Sequence, residues 1–111
     1  MNVRYTGHRD LGRVIVRAYD EEGGAHKLAP RHDLDNHSPD GFEWGYAGSG
    51  PAQLALAILA DALGDDQRAL RLHQPFKAHF IQNFDESWEM EASTVRIWAL
   101  TWAAAQHLED R

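Results

Sequence analysis

The stretch that most constrains this chain is Pro51 to Leu63, Pro-Ala-Gln-Leu-Ala-Leu-Ala-Ile-Leu-Ala-Asp-Ala-Leu, apolar on nearly every side if wound as a helix. Ala and Leu are the strongest helix formers, Pro51 suits a first turn, and Gly64 stands just past the end, where a helix stop is expected. A helix apolar all round lies either in a membrane or at the centre of a fold. Its 13 residues fall short of the ~20 that a membrane span needs. The sequence therefore predicts a core helix around which the other elements must be arranged.

Those elements are readable in outline. Residues 2–8 and 12–20 alternate as strands, with Val3 and Tyr5 around Arg4, and Val14, Val16 and Ala18 around Arg13, Ile15 and Arg17. Gly12 and the Glu21-Glu22-Gly23-Gly24 run mark turns, and residues 25–28 suit a short third strand. Such a meander is too thin to stand without something packed on one face. Asp65-Asp66 opens a second helix whose buried stripe is Ala69, Leu70, Leu72, Phe76, Phe80 and Ile81. Pro75 removes a ladder hydrogen bond and is expected to kink or split that helix near residues 71–74. Residues 83–86 break the chain, Trp88 to Glu91 suits a short extended piece, and Ser93 or Thr94 is expected to cap a last helix running to about Leu108. On that helix Val95, Trp98, Trp102 and Ala105 share a face, so Trp98 and Trp102 either cover the core or form a dimer surface. The expected fold is α+β: a small N-terminal antiparallel sheet of two or three strands on about three helices. It forms one domain over 1–111, with a meander at about 2–28, a glycine–aromatic loop at 34–50 and a helical part at 51–109.

Charge narrows the partners. The net charge of −6 is uneven: residues 1–19 carry +3 through Arg4, Arg9, Arg13 and Arg17, residues 20–43 carry −5, and the remainder −4. An acidic surface repels phosphate backbones, which disfavours direct nucleic-acid binding; Arg13 and Arg17 share a strand face and form at most a small basic strip. The absence of cysteine excludes disulfides, thiolate metal sites and a Cys nucleophile. With no signal-like or membrane-length apolar segment, the expectation is a soluble cytoplasmic protein that makes no membrane contact.

Residues 34–57 hold the chemistry. Gly41, Gly45, Gly48 and Gly50 interleave with Phe42, Trp44 and Tyr46, then run directly into the core helix. Gly48-Ser49-Gly50 before Pro51 could bring unpaired N–H groups and a positive dipole end against an anion. The competing reading is a helix cap with aromatics plugging the core. No Lys-Ser/Thr pair follows, and Gln53 occupies the place of the third glycine of a dinucleotide fingerprint. For acid–base chemistry the candidates are His37, Asp35, Glu43 and Ser38; Glu43, between Phe42 and Trp44, is either a desolvated acid or a structural pin. Ser49 lacks a Gly-x-Ser-x-Gly elbow. His26, His32 and His37 with Asp33, Asp35 and Asp40 invite a metal, yet their spacing matches no helical or hairpin ligand pair. The sequence accordingly predicts no catalytic residue, metal or cofactor. The provisional binding set is His37, Glu43, Trp44, Gly48, Ser49 and Gly50.

The string Asn-His-Ser-Pro-x-Gly-Phe-Glu-Trp-Gly-Tyr-x-Gly-Ser-Gly-Pro-Ala-Gln-Leu-Ala-Leu-Ala, here Asn36 to Ala57, resembles that of a family of small proteins of unknown function associated with phages, prophages, bacteria and archaea. The likeness continues through Leu63-Gly64-Asp65-Asp66, Ala69-Leu70 and Phe76-Lys77, and more loosely to Trp88. It implies no activity, cofactor or site residue. Its mobile-element setting, with small size and acidity, suggests a non-enzymatic protein-binding module that meets a basic partner surface, for instance an anti-defence inhibitor. The alternative is an anion- or nucleotide-binding domain, or a small enzyme, using the glycine loop.

Overall fold

The computed structural model describes residues 2–109, with side chains through Gln106. Met1, Asp110 and Arg111 of the expected domain lie outside the described residues. Strands β1 (Arg4–Asp10) and β2 (Arg13–Tyr19) form a hairpin closed by Leu11 and Gly12, both at positive φ (51° and 80°). That is the backbone a two-residue hairpin turn requires, because it matches the twist of the flanking strands. β3 (Ala25–Lys27) pairs with the far end of β2.

The expected two or three strands become four. The extended piece β4 (Trp88–Glu91) pairs antiparallel with β1, Arg4 opposite Glu91 and Gly7 opposite Trp88, giving the order β3-β2-β1-β4. Pairing over some eighty residues of separation leaves no local trace in the sequence. Position 7 is glycine because Trp88 lies on it: a Cβ there would come within 2.4 Å of the indole.

Helix α1 (Ser49–Leu63) is the core helix, with every residue from Gly50 to Ala60 buried and Gly64 closing it in the left-handed conformation. Tyr5 of β1 crosses to it and donates a 2.6 Å hydrogen bond to Asp61. Burial, reinforced by that carboxylate, pushes the Tyr5 phenol far above its ordinary range.

Helix α2 (Asp66–His79) is capped by the Asp65 side chain, which accepts from the Arg68 N–H at 3.1 Å. It runs unbroken through Pro75 and is not split. The carbonyl deprived of its partner belongs to Arg71, an exposed residue that water can serve. A single 3-10 turn (Ile81–Asn83) leads to β4.

Helix α3 (Ala92–Glu109) starts directly after β4, two or three residues earlier than a Ser93 or Thr94 cap implies. Its first N–H is satisfied across the sheet by the Val3 carbonyl at 2.7 Å. Among the described residues, no helix is long and apolar enough to cross a membrane. Sheet and helices make one compact α+β domain.

Candidate functional site

The segment from Pro30 to Ser38 has no regular structure, so its backbone polar groups need other partners. Gln53 supplies them. Fully buried on α1, its Oε1 accepts from the N–H groups of His37 (2.8 Å) and Ser38 (3.1 Å), while its Nε2 donates to the carbonyls of Pro30 (2.6 Å) and Asp35 (3.0 Å). One carboxamide thus uses both ends to fix the loop, which explains a polar residue inside an otherwise apolar helix. His32 Nε2–H adds a 2.9 Å bond to the Ser38 carbonyl. Arg31, at positive φ (58°), clasps Asp33 and Asp66 and ties the loop to the start of α2. Its guanidinium holds the Asp33 carboxyl below the usual carboxylate range.

The clamped loop carries His37 to α2. His37 Nε2 lies 2.9 Å from Nε2 of His73 and 3.3 Å from an Asp35 carboxylate oxygen. His73 is 7% exposed and its Nδ1–H donates to the Leu70 carbonyl at 2.7 Å, which makes its Nε2 the acceptor, with the Gln74 amide 3.4 Å away. Burial, with a lesser contribution from neighbouring His37, holds this imidazole below its ordinary pKa. Asp35, His37 and His73 bring one ligand atom each within 4.8 Å of one another. His26, on exposed β3, and His32, bonded to the loop backbone, do not belong to this group. Sequence reasoning gives His73 no role. The available sign is its register, since positions 69, 73 and 76 form the buried stripe of α2 and one of them is a histidine.

The glycine–aromatic half of the loop is largely closed. Trp44 is buried and meets Trp88 edge to face, 5.7 Å between ring centroids. Arg9 lies over the Trp44 ring at 4.3 Å and bridges Glu43 (2.7 Å) and Glu86 (2.8 Å). Glu43 is thus tied to β1 by the Arg9 guanidinium. Gly50 is buried against it, and a Cβ there would approach the Glu43 Cβ to 2.6 Å. The start of α1 is therefore covered by residue 43 itself, an acid, while Ser49 is exposed and Gly48 half-buried beside Tyr46. Of the provisional set, Glu43, Trp44 and Gly50 pack together, and His37 stands apart with Asp35 and His73.

A second surface lies on α3. Ala92, Val95, Trp98 and Ala99 are buried, but beyond Ala99 no described residue of this helix is. Trp98 packs among Phe76 and Phe80 and belongs to the core; Trp102 stacks on it at 5.6 Å and is half-buried. Ile97 and Leu100 point outward at 65% and 66% exposure, followed by exposed Ala103, Ala104 and Ala105. On the open face of the sheet Arg13 and Arg17 are exposed, and Arg17 stands opposite Lys27.

These features define a small α+β domain, a four-stranded antiparallel sheet on a buried alanine–leucine helix, with an ordered loop pinned to that helix by one glutamine. The chain belongs to the family of unknown function DUF6166, whose family model matches residues 5–101. No curated protein and no solved structure matches it.

Proposed function

We propose that this chain is a small acidic, non-enzymatic module that works by binding a protein partner of basic surface, with the outer face of α3 as its apolar contact. The observation that carries the reading is the pair Ile97 and Leu100, 65% and 66% exposed on a helix whose Ala103, Ala104 and Ala105 are also exposed. Large aliphatic side chains left in water beside a run of alanines mark an interaction surface. Burying the two against a partner is worth about 1–2 kcal/mol each. The net charge of −6 supports a basic partner through long-range attraction. In the mobile-element setting that the sequence resemblance suggests, an inhibitor that occupies a basic site on a host defence protein is one concrete form.

The test compares wild type with the double variant I97E/L100E in affinity capture from host lysate at rising ionic strength. The expected result is a basic protein held by wild type, released as salt screens the attraction, and absent from the double variant. Equal capture by both chains, or no capture by either, refutes the reading. A wild-type solution mass that doubles with concentration and returns to the monomer in the double variant assigns the face to a second copy instead. The alternative of an anion-binding glycine loop draws its support from the Gly48-Ser49-Gly50 sequence; the packing of Glu43 against Gly50 weighs against it.

A further inference from the structure

We propose that Asp35, His37 and His73 form a binding site for a divalent first-row transition ion of the zinc type. Two imidazoles and one carboxylate are the donor set such ions select, whereas magnesium and calcium prefer oxygen throughout. The geometry is already close. Zinc bonds of about 2.0–2.2 Å in a tetrahedral arrangement set ligand atoms roughly 3.3 Å apart. Here the two Nε2 atoms stand 2.9 Å apart, an Asp35 oxygen lies 3.3 Å from that of His37, and the three ligand atoms fall within 4.8 Å of one another, so an ion requires the rings to separate by a few tenths of an ångström and the exposed Asp35 carboxylate to swing toward His73.

Three features argue for a prepared site rather than a chance meeting. The Nδ1–H of His73 is taken by the Leu70 carbonyl, which fixes the tautomer and aims the other nitrogen's lone pair at the cluster. Histidine ligands are oriented in this way in metal proteins generally. Secondly, His37 and Asp35 sit on a loop whose backbone Gln53 holds at four points, so ordering entropy is met on folding rather than on binding. Thirdly, without an ion His37 must donate its Nε2–H toward His73 beside a carboxylate. A cation in place of that proton would take both Nε2 lone pairs and the Asp35 charge at one centre. Three protein ligands leave one tetrahedral position, and because Asp35 is exposed that position is open to water.

This inference is independent of the α3 surface. Its test uses the untagged full chain after chelator treatment, titrated with Zn²⁺ and separately with Co²⁺. The expected result is one equivalent bound, a raised melting temperature with Zn²⁺, and cobalt absorption bands of a four-coordinate nitrogen–oxygen site. Binding should be lost in His37→Ala and in Asp35→Asn, both on the loop. In the wild type, ring ¹⁵N spectra should move the Nε2 signals of His37 and His73 together at one equivalent of Zn²⁺, a readout that survives even where a variant misfolds. No binding at 0.1 mM ion, or ring shifts confined to other histidines, overturns the proposal.

Discussion

Replacing Gln53 by alanine should be the most damaging polar substitution in this protein. The side chain is fully buried and makes four hydrogen bonds to the backbone of residues 30–38. At about 1 kcal/mol net per bond, and more for any group left dry, the loss is roughly 3–5 kcal/mol after allowing water to reach the half-exposed loop. A domain of this size has about 5–15 kcal/mol in total. The melting temperature should therefore fall by roughly 12–20 °C. Gln53→Glu discriminates hydrogen bonding from volume: it preserves size and acceptor, but sets a carboxylate oxygen against the carbonyls of Pro30 and Asp35 and buries a charge. It should be at least as destabilising as alanine at neutral pH. The assay is urea unfolding followed by tryptophan fluorescence, with hydrogen exchange at the His37 and Ser38 amides, whose protection should collapse. A loss below about 1 kcal/mol with both amides still protected would refute the view that one carboxamide organises the loop.

Gly7→Ala places a methyl within 2.4 Å of the Trp88 indole, and overpacking of this kind should cost about 1–3 kcal/mol in denaturant unfolding. Asp65→Ala removes the N-cap of α2 and should lower stability by about 1 kcal/mol, read from the same unfolding curves. Pro75→Ala restores a ladder donor within a helix that is already continuous; the chain should gain about 1–2 kcal/mol, less than the full proline penalty because the unfolded chain becomes freer. The double variant I97E/L100E should keep its melting temperature within about 2–4 °C, since surface changes away from packed features move stability by about half a kcal/mol.

What the sequence determined by itself is the part governed by neighbours along the chain. The apolar run at 51–63 had to become a buried helix because its composition leaves no solvent face. Gly64, Asp65 and the turn mark at Gly12 follow from conformational preferences of single residues, whereas the positive φ of Leu11 runs against its own. The first two strands show in their period of two, and the glycine–aromatic segment shows as a loop, while only the tertiary structure decides that Trp44 packs on the core. The tertiary structure alone decided the rest. Extension of residues 88–91 is local, but their place beside β1 depends on a partner some eighty residues away. Trp98 and Trp102 look equivalent on a helical wheel, and only the reach of Phe76 and Phe80 makes the first core and leaves the second at the surface. The histidine cluster shows the same limit: spacing along the chain does not reveal that Asp35, His37 and His73 meet in space. Gln53, a poor substitute for a fingerprint glycine, holds the loop so that His37 meets His73 from another helix.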